Sequence, residues 1–150
     1  MGRRAIATKR EARSMPAAVD DGHRAAMRMA RDRAAESGQK LAIAAARLAD
    51  DEKCEDVIVL DLRGVSMVCD YFVIATGTSD RQLRAVAINL EKETSKSLND
   101  KPYRISGYED GTWIIVDYVD VVIHLFDAER RLYYDLESLW GDCPKIEWQR

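Results

Sequence analysis

The strongest constraint on the fold is a pair of apolar, β-branched runs that stand close together in the second half of the chain. They cover residues 113–116 and 121–126, and aspartates flank the four-residue connection between them. Two such runs with a short, Asp-containing connection predict a β-hairpin. The second run is apolar at every position except His124, which shares a face with Val122 and Phe126. Because both of its faces suit burial, this run is predicted to be a central strand.

Hydrophobic periodicity and turn signals elsewhere predict a mixed α/β domain. Strands are expected, ahead of the hairpin, over residues 57–62, 71–75 and 103–106. A helix is expected to begin at Ser79, because Gln82 follows three residues later in the pattern of a capping box. Residues 127–140 are expected to form a short helix rich in aromatic residues. The element order α-β-β-α-β-β-β-α corresponds to a mixed five-stranded sheet with helices packed on it.

The two ends of the chain are expected to lie outside the folded domain. Residues 1–36 are rich in Arg, Ala and Met and show no clean apolar stripe, so they are expected to be disordered or transiently helical. Ser37 is the expected N-cap of the first helix of the domain. The domain is therefore expected to span residues 37–143, with residues 144–150 as a C-terminal tail.

Charge is distributed unevenly along the chain, whose net charge is −3. Residues 1–36 contain nine Lys or Arg and five Asp or Glu, a net charge of +4, whereas the remaining residues have a net charge of −7. A basic segment attached to an acidic domain is typical of proteins that contact a polyanion through that segment. The alternative is a solvated arm without a partner.

The cysteine and histidine content does not favour a metal site. The three cysteines show no CxxC spacing and the two histidines lie far apart, so no zinc site is predicted. An odd and sparse cysteine content is typical of a reducing compartment. No apolar run reaches the roughly 18 residues that a membrane span needs. The Arg- and Ala-rich beginning faintly resembles an organellar transit peptide, although its acidic residues weigh against that interpretation.

Two groups of residues are candidates for phosphate or metal chemistry. Gly77-Thr78-Ser79 precedes a helix whose N-terminus is suited to bind a phosphate, but the same residues are typical of any strand-to-helix turn, and no P-loop or GxGxxG pattern is present. Aspartates that are candidates for holding a catalytic metal occur at Asp61, Asp70, Asp117 and Asp120. Asp61 is followed by Arg63 instead of a second acid, and aspartates beside a turn are favoured because their side chains bond to nearby backbone.

His124 and the large aromatic residues each allow two interpretations. His124 has the chemistry of a general base, but its apolar neighbours favour a structural, neutral histidine. Trp113, Tyr118, Tyr134 and Trp140 are residue types enriched at protein interfaces, although some of them are expected in the core. Tyr118 is expected to be the most exposed of these, because it lies in the hairpin turn.

Three patterns occur in a fixed order along the chain. They are Asp70-Tyr71-Phe72-Val73-Ile74 with Gly77-Thr78-Ser79; Trp113 through Asp117-Tyr118 and Asp120-Val121-Val122 to His124; and Tyr134-Asp135-Leu136-Glu137 with Leu139-Trp140. Together, over about residues 38–143, they resemble the ribosomal silencing factor family, also called Iojap-like proteins. One departure is Val119, where the family usually has Gly. Because a β-branched residue resists a positive φ, this turn is expected to differ in shape.

The resemblance implies a regulatory protein without catalytic residues, cofactor or metal. It implies a fold similar to nucleotidyltransferases without their catalytic carboxylates. It also implies binding to the large ribosomal subunit through ribosomal protein L-fourteen, which blocks joining with the small subunit. The residues expected to bind this partner are Trp113, Tyr118, Asp120, His124, Leu136, Leu139 and Trp140. The alternative function is a degenerate or cryptic nucleotidyltransferase that binds a nucleotide near Gly77–Ser79.

Further expectations concern the setting in which the protein works. The expected location is the bacterial cytoplasm, or a mitochondrion or chloroplast if residues 1–36 are a transit peptide. The protein is expected to be a monomer or a weak homodimer without a membrane contact. The basic N-terminal segment is the expected contact with ribosomal RNA.

Overall fold

The computed structural model describes residues 21–150, which form a five-stranded sheet with helices on both of its faces. The helices are α1 (Asp21–Asp51), α2 (Asp80–Leu98), α3 (Ala128–Tyr134) and α4 (Leu136–Leu139). The strands are β1 (Glu55–Asp61), β2 (Tyr71–Gly77), β3 (Arg104–Ser106), β4 (Trp113–Asp117) and β5 (Val121–Asp127). Residues 1–20, which contain most of the predicted flexible extension, lie outside the described residues.

The strand order of the sheet is β1-β2-β5-β4-β3. β5 is parallel to β2 and antiparallel to β4, whereas β1 pairs with β2 and β3 pairs with β4 in antiparallel fashion. In this register Tyr71 lies opposite Val121, and Ile115 lies opposite His124. The predicted hairpin, the mixed sheet and the central position of its second strand are therefore confirmed.

β5 separates two hydrophobic clusters, one on each face of the sheet. On the first face, Val121, Ile123 and Leu125 join the larger cluster, which α1 and α2 cover. On the second face, Val122 and Phe126 join a smaller cluster, to which α4 and the C-terminal residues contribute side chains. The alternation along a strand sends successive side chains to opposite faces, so a strand with apolar residues on both faces supplies both clusters.

The start of α2 agrees with the predicted cap at Ser79. The Gln82 backbone N–H donates to the Ser79 hydroxyl over 3.0 Å, and Ser79 itself has an extended conformation. The Gln82 side chain does not complete a reciprocal capping box with the Ser79 amide. Its Oε1 accepts instead from the Thr78 backbone N–H over 2.6 Å.

α1 runs without interruption from Asp21 to Asp51, so the helix start predicted at Ser37 is wrong. A serine caps a helix only where the preceding residues leave the helical conformation, and the Ala-, Met- and Arg-rich residues before it favour helix. Burial on the sheet begins at Gly38, where a Cβ would lie 3.4 Å from the Tyr71 ring. The residues before Gly38 form the exposed half of α1, with Ala35 alone partly covered. No helix within residues 21–150 is long and apolar enough to cross a membrane.

The assignment of residues 144–150 to a tail is also wrong, because this segment packs along the edge strand β1. The Asp61 N–H donates to the Pro144 carbonyl over 2.8 Å, and the Ile146 N–H donates to the Val59 carbonyl over 2.9 Å. The Trp148 indole is buried, and its Nε1–H donates to the Val57 carbonyl over 3.1 Å. Two alternating apolar residues are too short a pattern to predict this pairing from the sequence.

The hairpin turn between β4 and β5 keeps a conformation that normally favours glycine. Val119 has φ +76°, and its N–H donates to the Asp117 carboxylate over 2.7 Å. The Asp120 N–H donates to the Tyr118 carbonyl over 3.0 Å, which closes a three-residue γ-turn around Val119. Val119 therefore adopts the positive φ that a β-branched residue resists, at the cost of backbone strain. The expectation that this turn differs in shape from that of the family stays a prediction.

Candidate partner-binding surface

The segment after β5 forms two short helices instead of the single helix predicted. Asp127 caps α3, because its carboxylate accepts from the Arg130 N–H over 2.7 Å. Asp135 then adopts φ +47°, which ends α3 and begins α4. Aspartate tolerates this left-handed conformation better than most residues, so the break falls at a residue suited to it. After the break, Leu136 and Trp140 pack on the cluster of the second sheet face.

Arg131 anchors the two short helices to the sheet. Its guanidinium donates to the Asp56 carbonyl over 2.6 Å, to the Thr76 hydroxyl over 2.8 Å and to the Glu137 carboxylate over 3.0 Å. The Glu137 contact joins α3 to α4, and the other two join α3 to the edge of the sheet at β1 and β2. Because these bonds are made by one largely buried side chain, the position of both helices depends on it.

A continuous set of aromatic rings connects the sheet to these helices. The Trp113 ring stacks on Phe126 with centroids 4.9 Å apart and meets the Tyr134 ring at 4.5 Å. Tyr133 meets Tyr134 edge to face at 5.1 Å. Ring pairs at these distances stabilise one another beyond the apolar area that they bury.

The outer part of this set is open to solvent. We call the surface formed by Trp113, Tyr133, Tyr134, Leu139 and Trp140 the aromatic face. Tyr133 is 80% exposed and Leu139 is 73% exposed, whereas Trp113 and Trp140 are half-buried against Phe126 and Phe72 of the sheet. Exposed apolar side chains that gather on a rigid support mark interaction sites more often than scattered ones do.

Four of the seven predicted partner-binding residues lie together at this surface. Trp113, Leu139 and Trp140 are part of the aromatic face, and Leu136 packs beneath it, partly buried. Their placement agrees with the predicted grouping of these side chains. Their role in binding a partner stays a prediction.

The expectation that Tyr118 is an exposed turn residue is wrong, because its side chain is buried between the hairpin and α2. The Tyr118 and Thr94 hydroxyls lie 2.8 Å apart in a hydrogen bond, and burial raises the pKa of Tyr118 to about 12. The backbone of a turn lies at the surface, but its side chain points inward when a helix lies over that end of the sheet. Tyr118 therefore belongs to the core of the first face.

His124 is also buried, so it supports the aromatic face from below instead of contacting a partner. Its Nδ1 accepts from the Trp113 indole N–H over 3.2 Å, which places the ring proton on Nε2 in the neutral form. Nε2 has no hydrogen-bond partner within residues 21–150. Burial lowers the pKa of His124 to about 3. The interpretation as a structural, neutral histidine agrees with this environment.

Asp120 is exposed but lies at the other end of β5 from α3. Its carbonyl accepts from the N–H groups of Asp70 and Tyr71 over 2.8 Å and 3.1 Å. Burial of Asp70, together with the nearby Asp120 carboxylate, raises the pKa of Asp70. Asp120 therefore helps to shape the start of β2, and the structure does not bring it to the aromatic face.

The prediction omitted Leu132 and Tyr133, two of the most exposed apolar side chains. Three large residues in sequence, Leu132-Tyr133-Tyr134, occupy a short helix, and consecutive helical positions point about 100° apart. They cannot all face one core. That consecutive arrangement was the signal in the sequence that at least one of them is exposed.

The loop at Gly77–Ser79 is filled by contacts within the chain. The Gln82 side chain accepts from the Thr78 N–H, Ser79 accepts from the Gln82 N–H, and Asp80 accepts from the Arg81 N–H. A Cβ at Gly77 would lie 2.4 Å from a methyl group of Leu83. Helix packing therefore accounts for the glycine, and the N–H groups of Thr78, Arg81 and Gln82 already have partners within the chain.

Two of the four candidate metal-binding acids, Asp61 and Asp117, are similarly engaged in contacts within the chain. Arg63 forms a two-pronged ion pair with Asp61 at 2.9 Å and 2.7 Å, and this hydrogen bonding lowers the pKa of Asp61. The Asp117 carboxylate accepts from the Val119 N–H. In the part of the chain that the structure describes, no group of three or more His, Cys, Asp or Glu side chains is placed to hold a metal ion.

Comparison with known proteins agrees with the motifs and the fold. The sequence pattern of the family described as "Ribosomal silencing factor during starvation" matches residues 34–150. A ribosomal silencing factor from Halalkalibacterium halodurans is 40% identical over 111 residues, which cover 74% of this chain and 94% of that protein. A mouse protein named mitochondrial assembly of ribosomal large subunit protein 1 is 37% identical over 91 residues, 59% of this chain and 40% of that protein.

A solved structure extends the similarity to the fold. The crystal structure of a protein from Chromobacterium violaceum has a TM-score of 0.63 and 36% identity, covering 71% of this chain and 85% of that chain. The predicted α/β class and the resemblance seen in the sequence are thus confirmed. The chain belongs to the ribosomal silencing factor family.

Proposed function

We propose that this protein binds the large ribosomal subunit through its aromatic face and thereby keeps the small subunit from joining. The observation that carries the proposal is the exposure of Tyr133 and Leu139, whose chain neighbours Tyr134 and Trp140 pack against rings of the sheet. A truncated anchor at the centre of a protein interface typically costs about 2–4 kcal/mol, and tryptophan and tyrosine are the commonest such anchors.

Family membership supports the choice of partner. Relatives are named ribosomal silencing factors, and the mouse relative is named for assembly of the large ribosomal subunit. The resemblance noted above indicates ribosomal protein L-fourteen as the contact on that subunit. The named bacterial relatives favour a place of action on ribosomes in a bacterial cytoplasm.

The proposed mechanism is steric and requires no catalytic group. A protein docked where the two subunits meet excludes the small subunit in proportion to its own occupancy. The arrangement of the aromatic face suits this role, because Arg131 and the Trp113–Tyr134 contact fix it on the sheet before binding. A preformed surface loses little conformational entropy on docking, so more of its contact energy appears as affinity.

Co-sedimentation with separated ribosomal subunits tests this proposal. Tyr133→Ala should weaken binding to the large subunit by about 30- to 1000-fold, which corresponds to about 2–4 kcal/mol. Tyr103→Ala is the matched control, because Tyr103 is also a tyrosine, is 75% exposed and lies beside β3 at the far edge of the sheet. Both variants should keep the wild-type melting temperature.

Two results would contradict the proposal. One is wild-type binding of Tyr133→Ala to the large subunit, which would mean that the aromatic face is not the contact. The other is equal weakening by Tyr133→Ala and Tyr103→Ala, which would indicate a general loss of surface tyrosine contacts instead of a defined site.

A further inference from the structure

The exposed half of α1 carries a line of arginines that is not part of the aromatic face. Arg24, Arg28 and Arg31 follow one another at intervals of four and three residues, so they lie on one side of the helix. We call these three residues the arginine stripe. The family match begins at residue 34, so the stripe lies outside it.

The stripe has a defined direction relative to the domain. The same spacing continues through Ala35 to Gly38, Ala42, Ala46 and Ala49, and the last four of these are buried against the sheet. The stripe is therefore the continuation of the domain-facing side of α1, beyond the point where the sheet ends at Tyr71 and Val121. Asp21 lies 17 residues before Gly38, so the helix projects by about 25 Å.

The charges on this projecting helix indicate the kind of partner that it binds. Neither Arg28 nor Arg31 forms an ion pair with another residue of the described part of the chain. Arg33 lies on the opposite side of the helix, and the acids Asp32 and Glu36 lie on an adjoining side. Residues 37–150 have a net charge of −7, so a polyanion is repelled by the domain and attracted by the side of the helix that carries the arginine stripe.

We propose that the arginine stripe binds the sugar-phosphate backbone of structured RNA, without reading its sequence. This proposal rests on the proposed function, since the large subunit presents RNA at its surface. Guanidinium groups bind phosphate oxygens with two parallel hydrogen bonds, and arginines one helical turn apart, about 5.4 Å, are placed to engage successive phosphates. The helix thus adds a second, electrostatic contact beside the apolar one.

RNA binding by the arginine stripe is tested with the full chain and a fluorescent 20-base-pair RNA duplex of arbitrary sequence. Fluorescence anisotropy measures the affinity at salt concentrations between 50 and 200 mM. The plot of log affinity against log salt has a negative slope, and the loss of one phosphate contact makes that slope shallower by about one. Arg28→Gln should show this change together with weaker binding, and adding Arg31→Gln should make the slope shallower by about two. Arg33→Gln removes the same charge from the opposite side and should leave the slope unchanged. Glutamine preserves helix propensity, so circular dichroism should not change.

The proposal is overturned if the wild type does not bind the duplex, if Arg28→Gln leaves the slope unchanged, or if Arg33→Gln weakens binding as much as Arg28→Gln. Tyr133→Ala separates this inference from the proposed function. It should bind the duplex like the wild type while losing the large subunit. If Tyr133→Ala still binds the large subunit, only the proposed function is contradicted. If Arg28→Gln leaves the slope unchanged, only the proposed RNA contact of the arginine stripe is contradicted.

Discussion

At the scale of single residues, Val119 shows how a short turn can store strain. Its φ of +76° is a conformation that a β-branched residue adopts at a cost of about 1–3 kcal/mol. The γ-turn and the bond to the Asp117 carboxylate hold it there, because both flanking strands are paired in the sheet. The stability of the sheet therefore compensates for the strain of one residue.

Val119→Gly should raise the free energy of unfolding by about 1 kcal/mol. Glycine removes the strain but gains more freedom in the unfolded chain, which offsets about 0.5–1 kcal/mol of the benefit. Chemical denaturation should show a higher midpoint with the same slope. Val65→Gly is the control, since Val65 is an exposed loop valine without a positive φ and should lose stability or stay unchanged. A lower midpoint for Val119→Gly would show that the turn is not strained.

His124 should make the fold sensitive to acid. Its folded-state pKa of about 3 is below the ordinary value of 6.5, so the folded state disfavours the protonated ring. Stability from this group is complete above about pH 6.5 and is lost as pH falls, by up to about 1.4 kcal/mol per pH unit. Between pH 6 and pH 4, wild-type stability should fall more steeply than that of His124→Gln, which retains His23. Parallel pH profiles would contradict this assignment.

Tyr118 should behave as a core residue. Tyr118→Ala should lower the free energy of unfolding by about 3–5 kcal/mol, since it removes a buried ring and leaves a cavity against α2. Tyr118→Phe should cost only about 1 kcal/mol, because the Thr94 hydroxyl keeps its bond to the Leu90 carbonyl. The fraction of either variant that stays folded should bind the large subunit like the wild type. A loss of binding without a loss of stability would indicate that Tyr118 contacts the partner.

At the scale of elements, the last residues of the chain behave as part of the sheet. The segment from Pro144 to Trp148 covers the edge strand β1, whose outer N–H and C=O groups would otherwise be unpaired. Covered edges also protect a sheet from pairing with other chains. The C-terminal segment therefore supports both stability and solubility.

Trp148→Ala should lower the free energy of unfolding by about 3–5 kcal/mol and increase aggregation on heating. Thermal denaturation with light scattering measures both effects. Removal of residues 149–150 is the control, because the exposed pair of Arg150 with Asp51 contributes at most about 1 kcal/mol. Equal stability of Trp148→Ala and the wild type would mean that the segment is a tail after all.

At the scale of the whole molecule, the parts that could be predicted from the sequence are those with long or chemically specific patterns. The hairpin, the central strand and the Ser79 cap follow from periodicity and from hydrogen-bonding side chains near their own backbone. The alternation along β5 placed His124 on the face of Val122 and Phe126, as the structure shows. The direction of the Tyr118 side chain, by contrast, could not be predicted, because it depends on α2 lying over that end of the sheet. The same holds for residues 144–150, whose strand-like pairing exists only because β1 is an open edge.

The aromatic face could be predicted only in part, because it also depends on how the elements pack. The concentration of large aromatic residues in and after the hairpin predicts that some of them are exposed, but only the break at Asp135 determines which of them face outward. Trp113 and Trp140 are held half-buried by rings of β2, β5 and α3, while Tyr133 and Leu139 extend beyond them. The resulting molecule presents a rigid apolar surface on one face and, at one end, a projecting helix with the arginine stripe on one side.

A subunit-joining assay tests the central claim most directly. Purified large subunits are mixed with the protein, small subunits are then added, and the fraction of joined ribosomes is measured by sedimentation. We predict that the wild type lowers this fraction in proportion to its occupancy of the large subunit. Tyr133→Ala should have little effect at the same concentration, and Tyr103→Ala should act like the wild type. Wild-type protein that stays bound to fully joined ribosomes would contradict the account.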